Sequence, residues 1–239
     1  MTYIRAYMMA VVNVLATFVF STLVFIFGFL DQQSVATWLI RGWASVLLGS
    51  FGVRVEVSGE ENLPAQGGGI LVFNHQSHLD IPAICRATHK QVRFGAKAEL
   101  FKIPVFGPAM RAIGTLRITR DNRNEVLRIY KEASVRFAQN ILFVLAPEGT
   151  RQREPRIGRF KKGPFVFAIG AGVPLIPVVI KGAYEVLPPD TVLVNLGKWR
   201  RTIRVQFLPA IASGTYTNET LDQFTQTTHM KMTEAFAAL

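Results

Sequence analysis

Two long hydrophobic runs open the chain. Residues 6–30 contain no charged side chain, and at about 1.5 Å per residue a helix of this length crosses a hydrocarbon core of about 30 Å. The second run, 34–53, is interrupted by Arg41 and carries Trp38 and Trp43, residues typical of a membrane interface. A spanning helix followed by an interfacial one fits this pattern, and so does a two-helix hairpin embedded in a single leaflet. A cleavable signal peptide fits less well, because the first run exceeds the usual length of about 7–15 residues.

Positive charge is distributed unevenly around these runs. Arg5 alone precedes the first run, whereas Arg41, Arg54 and many further basic residues follow it. Because basic segments stay preferentially on the cytoplasmic side, we expect a membrane protein with the bulk of its chain in the cytoplasm. Residues 1–52 are predicted to form membrane-binding helices, and residues 53–239 a separate folded domain.

Shorter apolar runs alternate with longer segments from residue 53 onward. Seven of these runs are typical of strands: 53–57, 70–73, 91–96, 114–119, 141–146, 175–180 and 202–208. Helices are predicted at 122–139, at 163–170 and from about 221. Pro177 favours an edge strand or a bulge for the sixth run. The alternation of strands and helices predicts a layered α/β fold.

Composition restricts the class of protein. Of the 239 residues, 49% are hydrophobic and only 18% are charged, which excludes a mainly disordered chain. The net charge of +11 attracts nucleic acid, an anionic membrane face or phosphorylated substrates. Cys85 is the single cysteine, so an internal disulfide framework is excluded. No metal site is predicted, because His75, His78 and Cys85 lack a fourth ligand of convincing spacing.

Three of the predicted strands end in reactive residues, and ligands of open α/β sheets gather beyond the carboxyl ends of strands. The second strand is followed by NHQSHLD, which contains His75 and Asp80, the third by Lys97, and the fifth by PEGTR. A neutral imidazole accepts a proton from a hydroxyl, and a carboxylate on its other nitrogen fixes the tautomer. Such a pair requires His75 in a loop and Asp80 at the start of the next helix. The alternative is that Asp80 only caps that helix.

The segment from Glu148 to Arg151 is suited to binding an anion. Gly149 permits a close backbone approach, successive backbone N–H groups bind anions, and arginine pairs with a phosphate through two hydrogen bonds. A surface turn is the alternative. Residues 151–162 carry six cations against Glu154, a pattern usual for a solvated face that also suits anionic lipid or an acidic donor protein.

Taken in chain order, these segments resemble the motifs of the glycerolipid acyltransferases, the family of PlsC and the lysophosphatidic acid acyltransferases. Residues 74–80 (NHQSHLD) match NHxxxxD, residues 114–120 (GTLRITR) match a glycine followed six residues later by arginine, and residues 147–151 (PEGTR) match the third motif. The proline-bearing segment 173–178 is similar to the fourth motif. The resemblance covers roughly residues 50–210.

This resemblance implies an α/β domain with a mixed sheet flanked by helices, preceded by a two-helix membrane motif. It implies an enzyme that transfers an acyl chain from acyl-CoA or acyl-carrier protein to the free sn-2 hydroxyl of 1-acyl-glycerol-3-phosphate. The product is phosphatidic acid, and no further cofactor is implied. By the same resemblance His75 is the general base and Asp80 its partner. The residues implied to bind substrate are Lys97, Arg120, Glu148, Gly149, Thr150 and Arg151.

Two positions depart from the common family pattern. Thr119 stands where an acidic residue is usual, and Ala146 where an aromatic residue is usual. Both lie near the implied acceptor site, so another lysolipid, such as lyso-ornithine lipid or lysophosphatidylglycerol, is the alternative acceptor. A non-enzymatic basic protein is a more distant alternative that leaves the polar motifs unexplained. The expected partners are the lipid acceptor, the acyl donor and an anionic membrane surface, and not nucleic acid.

Overall fold

Seven strands and eight α-helices form the part of the chain that the computed structural model describes, residues 2–118, 123–191 and 200–239. The helices are α1 (Thr2–Phe29), α2 (Gln33–Ser50), α3 (Asp80–Ala87), α4 (Phe106–Ala112), α5 (Arg123–Ser134), α6 (Gly163–Ala171), α7 (Ala183–Val186) and α8 (Leu221–Ala238). The strands are β1 (Val53–Ser58), β2 (Gly69–Phe73), β3 (Gln91–Lys97), β4 (Leu116–Ile118), β5 (Ile141–Leu145), β6 (Leu175–Lys181) and β7 (Arg201–Phe207).

The strands form one mixed sheet in the order β1-β7-β6-β2-β5-β3-β4. Only β6 and β7 pair in the antiparallel sense, and the other neighbours are parallel. Parallel neighbours need crossover connections, and helices supply most of them here. The alternating pattern of the sequence therefore predicts the layered α/β fold correctly.

Helices cover both faces of the sheet. The central strand β2 is buried at every position, and its successive side chains point to opposite faces. Leu71 and Phe73 pack with residues of α2 and α3, whereas Ile70 and Val72 pack with residues of α5, α6 and α8. Strands buried on both faces read as continuous apolar runs, which is why β2 and β5 show no alternation in the sequence.

The first two helices form a hairpin that packs against the sheet domain. α1 contacts α2 and α4, and α2 contacts α3. Among the described helices, the segment Ala6–Phe29 of α1 is the one long and apolar enough to cross a membrane, and only 17% of it is buried. One face of α1 packs inward, and the opposite face exposes large apolar side chains, including Tyr7, Met8, Val11, Leu15, Phe18 and Phe29.

Two strand predictions need correction. β4 begins at Leu116 rather than at Gly114. Pro177 lies inside the sheet, because β6 runs between β7 and β2. The Pro177 carbonyl accepts a hydrogen bond from Leu208 N at 2.8 Å, and a backbone N–H would point to this same side, where β7 has already ended at Phe207. Proline has no backbone N–H, and at Pro177 this costs no hydrogen bond to β7, because the pairing of β6 with β7 stops there.

Candidate active site

Three parallel strands bring most of the predicted site residues to one edge of the sheet. β5 pairs in parallel with β2 on one side and with β3 on the other, so the carboxyl ends of these strands share an edge. Residues 74–80 follow β2, Lys97 ends β3, and residues 147–151 follow β5. The order of strands thus assembles residues that are up to about seventy positions apart in the sequence.

His75 and Asp80 form a hydrogen-bonded pair at this edge. His75 Nδ1 lies 2.8 Å from Asp80 Oδ2. The same oxygen accepts hydrogen bonds from Gln76 N at 2.7 Å and from Ser77 N at 2.8 Å. The carboxylate therefore receives donors from the loop that precedes α3, so the alternative that Asp80 only caps its own helix is wrong. His75 lies in that loop and Asp80 begins α3, as the pair requires.

The environment of the pair fixes the role of each imidazole nitrogen. Asp80 is buried, with its side chain 1% exposed, whereas the His75 side chain is 17% exposed. A carboxylate only accepts hydrogen bonds, so Nδ1 carries a proton, and in the neutral imidazole Nε2 is the nitrogen with the free lone pair. Within the described ranges, Nε2 has no hydrogen-bond partner. This arrangement leaves a proton acceptor facing the edge of the sheet, with a negative charge behind it.

Three neighbouring polar side chains hold the loop that carries His75. Asn74 donates from Nδ2 to Ile180 O and accepts at Oδ1 from Ile180 N, both at 2.8 Å. Ser77 Oγ donates to the carbonyl of Leu187 at 2.7 Å. Gln76 Nε2 donates to the carbonyl of Arg156 at 2.9 Å. The sequence prediction missed these positioning residues, although polar residues between a buried strand and a helix were a visible signal.

Glu148 supports the same loop from the neighbouring strand. Its Oε1 accepts a hydrogen bond from His75 N at 3.3 Å, and Gln152 N donates to His75 O at 2.8 Å. Burial raises the pKa of Glu148 to about 8, against smaller opposing effects of hydrogen bonds from His75, Gln152 and Gly158. Burial therefore favours the neutral form of the Glu148 carboxyl, and its observed contact is with the backbone of His75. Its predicted role in binding substrate stays a prediction.

The turn after Glu148 presents one backbone donor and one cation. Gly149 has φ of +75°, a conformation that favours glycine, and its N–H is used by the carbonyl of Ala146 at 3.1 Å. Thr150 is exposed, and its N–H has no hydrogen-bond partner in the described segments. Arg151 Nη1 lies 3.1 Å from His78 Nε2. Burial and then the charge of Arg151 lower the pKa of His78, so a neutral imidazole accepts this hydrogen bond.

Two further predicted residues complete the account. Lys97 is exposed at the end of β3, on the same edge as the pair, and no described contact joins it to His75. Arg120 lies outside the described residues. Over the described ranges, no group of three His, Cys, Asp or Glu side chains has the arrangement of a metal site.

An apolar cavity of about 130 Å³ lies between the helical hairpin and β3. Phe20 and Val24 of α1 and Trp43 of α2 line one side, and Ile81 and Ala96 line the other. Ile81 follows Asp80 in the chain and Ala96 precedes Lys97. The cavity therefore reaches residues adjacent to the edge that carries the polar pair, and it offers them an apolar space.

Comparison with known proteins relates this fold and these motifs to one family. The sequence profile of the family described as Acyltransferase matches residues 54–181, more than half of the chain. The chain belongs to the acyltransferase family. The matched range of this acyltransferase includes His75, Asp80, Glu148 and Arg151.

Curated relatives and a solved structure are similar to this acyltransferase. The 1-acyl-sn-glycerol-3-phosphate acyltransferase of Escherichia coli is 30% identical over 181 residues, 72% of this chain and 73% of that protein. A chloroplastic 1-acyl-sn-glycerol-3-phosphate acyltransferase of Brassica napus is 36% identical over 155 residues, 63% of this chain and 44% of that protein. The chain thus spans less than half the length of this chloroplast relative.

The fold likeness extends over the whole chain. The crystal structure of the 1-acyl-sn-glycerophosphate (LPA) acyltransferase PlsC from Thermotoga maritima gives a TM-score of 0.78 at 25% sequence identity. The match covers 100% of this chain and 99% of that chain. The predicted α/β domain with a mixed sheet flanked by helices is confirmed.

Proposed function

We propose that this acyltransferase moves an acyl chain from a thioester donor to the sn-2 hydroxyl of 1-acyl-glycerol-3-phosphate, giving phosphatidic acid. The observation that carries the proposal is the His75 Nδ1 to Asp80 Oδ2 hydrogen bond of 2.8 Å at the carboxyl edge of the sheet. The names of the Escherichia coli and Thermotoga maritima relatives describe acylation of this acceptor. Both relatives match at least 72% of this chain.

His75 acts as the general base in this mechanism. Its Nε2 removes the hydroxyl proton of the acceptor, and the buried Asp80 carboxylate stabilises the imidazolium that forms. The acceptor oxygen then attacks the thioester carbonyl carbon. Collapse of the tetrahedral intermediate breaks the carbon–sulfur bond, and the imidazolium returns its proton to the departing thiolate. The exposed N–H of Thr150 is the proposed donor to the oxyanion.

The acceptor phosphate binds cations on the same edge. Arg151 is the principal proposed ligand, since it lies beside His78 in the loop 74–80. Arginine pairs with phosphate oxygens through two parallel hydrogen bonds. Lys97 contributes a second charge, and Arg120 a third by its place in the motif. Glu148 and Gly149 act by shaping the turn between these groups and His75.

The helical hairpin is the proposed membrane anchor. α1 packs on α2 along its length, for example through the hydrogen bonds from Trp43 Nε1 to Thr17 Oγ1 and from Ser50 Oγ to Asn13 Oδ1. α2 in turn buries Ala44 and Leu48 in the core of the sheet domain. A hairpin held against the domain in this way favours insertion of the exposed face of α1 into one leaflet over a full span. By the charge distribution of the sequence, that leaflet is cytoplasmic.

Acyl transfer by the purified, detergent-solubilised chain tests the proposal. With 1-acyl-glycerol-3-phosphate as acceptor, we expect phosphatidic acid from the wild type and a loss of about 10³-fold in kcat for His75→Ala. The matched control is His89→Ala, since His89 is exposed just before β3, at the opposite edge of the sheet. Equal losses in both variants, or a higher kcat/KM for lysophosphatidylglycerol than for the phosphomonoester acceptor, contradict the assignment.

A further inference from the structure

A second cavity, of about 490 Å³, lies at the edge strand β4 and is distinct from the His75 site. It is bounded by the turn Ala98–Lys102, by β4 and by α5 with the turn Val135–Gln139 that follows it. Among the described lining residues, Glu132 is the single carboxylate. Four cations also line the cavity: Lys102, Arg111, Arg117 and Arg136. We call it the cationic pocket.

Among the described residues, little negative charge compensates the cations of the cationic pocket. Over residues 2–118, 123–191 and 200–239, no carboxylate lies within 4.0 Å of Lys102, Arg117 or Arg136. The Glu132 carboxylate pairs instead with Arg128, on the solvent side of α5, at 3.6 Å. Like charges gathered in a concave site repel one another and attract an anion, which cancels the repulsion when it binds.

Arg93 adds a further cation close to the pocket. It is 1% exposed, and its hydrogen bonds go to neutral groups, namely Gln33 Oε1, Gln91 Oε1 and the carbonyl of Val92. Burial, followed by the charge of Arg136, lowers the pKa of Arg93 to about 10. The fields of these two guanidinium groups therefore overlap, and no carboxylate in the described part of the chain lies between them.

Gly114 gives Arg136 its place in the pocket. Gly114 has φ of +77°, and a Cβ built on it would overlap Arg136 Nη1. The positive φ disfavours residues other than glycine at this position, and the missing side chain leaves room for the flexible end of Arg136. This glycine begins the second sequence motif, and the chemistry at His75 gives it no role.

The remaining walls indicate what kind of anion fits. Phe101, Leu116 and Ile129 supply apolar surface beside the cations, and a volume of about 490 Å³ lies in the range of small-ligand sites. Cations combined with apolar walls suit a phosphorylated nucleoside better than a bare phosphate. The pocket begins at Ala98, next to Lys97 of the site edge, and Thr115 lines both this pocket and the apolar cavity.

We propose that the cationic pocket binds the phosphorylated nucleotide end of acyl-CoA, with Arg117 and Arg136 in contact with its phosphates. This inference rests on the proposed acyl transfer and adds the class of donor and its binding residues. A donor held there has its phosphates at β4 and its thioester directed to the neighbouring edge, where His75 activates the acceptor. A carrier protein would instead present a convex surface that leaves this concave pocket unfilled.

Calorimetric titration of the full, detergent-solubilised chain with adenosine 3′,5′-bisphosphate tests the pocket without turnover. We expect binding that weakens at least tenfold in Arg136→Gln and in Arg117→Gln, since a hydrogen bond to a charged group is worth a factor of roughly 10 to 100. The matched control is Arg86→Gln, because Arg86 is exposed on α3 and lines neither cavity. Thermal unfolding checks that each variant is folded, and two independent variants guard against one misfolding.

Kinetics separate this inference from the proposed function. In Arg136→Gln we expect the KM for acyl-CoA to rise at least tenfold, whereas the KM for the acceptor changes less than twofold. With acyl-dephospho-CoA as donor, the same substitution should raise the donor KM by a smaller factor. The proposal is overturned if the bisphosphate fails to bind, binds all variants equally, or binds no better than inorganic phosphate or phosphatidylglycerol vesicles. Transfer from acyl-carrier protein without nucleotide binding overturns the pocket and keeps the acyl transfer. Nucleotide binding without any acyl transfer keeps the pocket as a nucleotide site and overturns the proposed acyl transfer.

Discussion

Replacing Asp80 with asparagine separates the charge of this carboxylate from its geometry. All three donors, His75 Nδ1, Gln76 N and Ser77 N, end on Oδ2, and Oδ1 is buried without a hydrogen-bond partner in the described structure. An asparagine whose carbonyl oxygen takes the Oδ2 position keeps these three hydrogen bonds and the tautomer of His75. The loss is then confined to the negative charge behind the imidazole.

The magnitude of the loss follows from the geometry of the pair. With 2.8 Å between Nδ1 and Oδ2, the charge centres are about 4 Å apart, and at an effective dielectric constant near 20 their attraction is about 4 kcal/mol. Each 1.36 kcal/mol is tenfold in rate, so kcat is expected to fall about 10³-fold. The amide NH₂ at the unpartnered Oδ1 position costs about 1–3 kcal/mol of stability.

Single-turnover acyl transfer and equilibrium unfolding measure these two effects separately. Asp80→Asn should lower kcat about 10³-fold, and the double variant with His75→Ala should be no slower than His75→Ala alone, because the carboxylate acts through the imidazole. A kcat within tenfold of the wild type would refute the electrostatic role of Asp80. Additive losses in the double variant would show that Asp80 acts on the substrate independently of His75.

Two further predictions concern the scaffold of the site. Asn74→Ala leaves the N–H and C=O of Ile180 unpaired in the core and should lower the free energy of unfolding by about 2–5 kcal/mol in denaturant titration; a loss below 1 kcal/mol contradicts this role. The pKa of Glu148 is about 8 in the folded protein, whereas the ordinary pKa of glutamate is about 4.3. The native state therefore binds one more proton than the unfolded state between these values, and the free energy of unfolding falls as pH rises through that window, by up to about 1.4 kcal/mol per pH unit. Glu148→Gln should remove that slope when unfolding is measured from pH 5 to 8, and an unchanged slope assigns it to another group.

The His75–Asp80 pair is predictable because its requirements are local. A buried strand must end just before His75, and a helix must begin at Asp80, and both follow from apolar runs and from Pro82 in the first turn of α3. The four intervening residues then wrap around the carboxylate. The spacing of His75 and Asp80 is weak evidence by itself, so the family motif is needed to identify this pair among the other His and Asp residues.

The partners of the surrounding loop are not predictable from local pattern. Asn74 bonds to Ile180, 106 residues away, and Ser77 bonds to Leu187, 110 residues away. These contacts depend on the order of the strands in the sheet. β6 lies next to β2 because both strands pack apolar faces, and no local sequence signal at Ile180 indicates this partner. For the same reason the sequence does not predict that Pro177 lies inside the sheet, since a proline in a strand indicates an edge strand or a bulge.

Glu148 illustrates how strand order changes the meaning of a motif. Glu148 follows a buried strand, and the family resemblance implies that it binds the acceptor. Because β5 lies next to β2, the same carboxyl also meets His75 N, in surroundings that raise its pKa. A residue of the motif can thus be required for activity by holding the base in place, whether or not it also touches the acceptor.

The apolar cavity relates the helical hairpin to the polar edge. Its walls come from α1 and α2, whose outer face is apolar, and from Ile81 and Ala96, which adjoin Asp80 and Lys97. Each buried CH₂ contributes about 0.8 kcal/mol, so a hydrocarbon chain in this space is held by its length, with no polar contact required. The loop 74–80 is held by hydrogen bonds to Ile180 of β6, to Leu187 and to residues that follow β5. The apolar walls of this cavity and the hydrogen bonds that hold the loop around His75 therefore come from different residues.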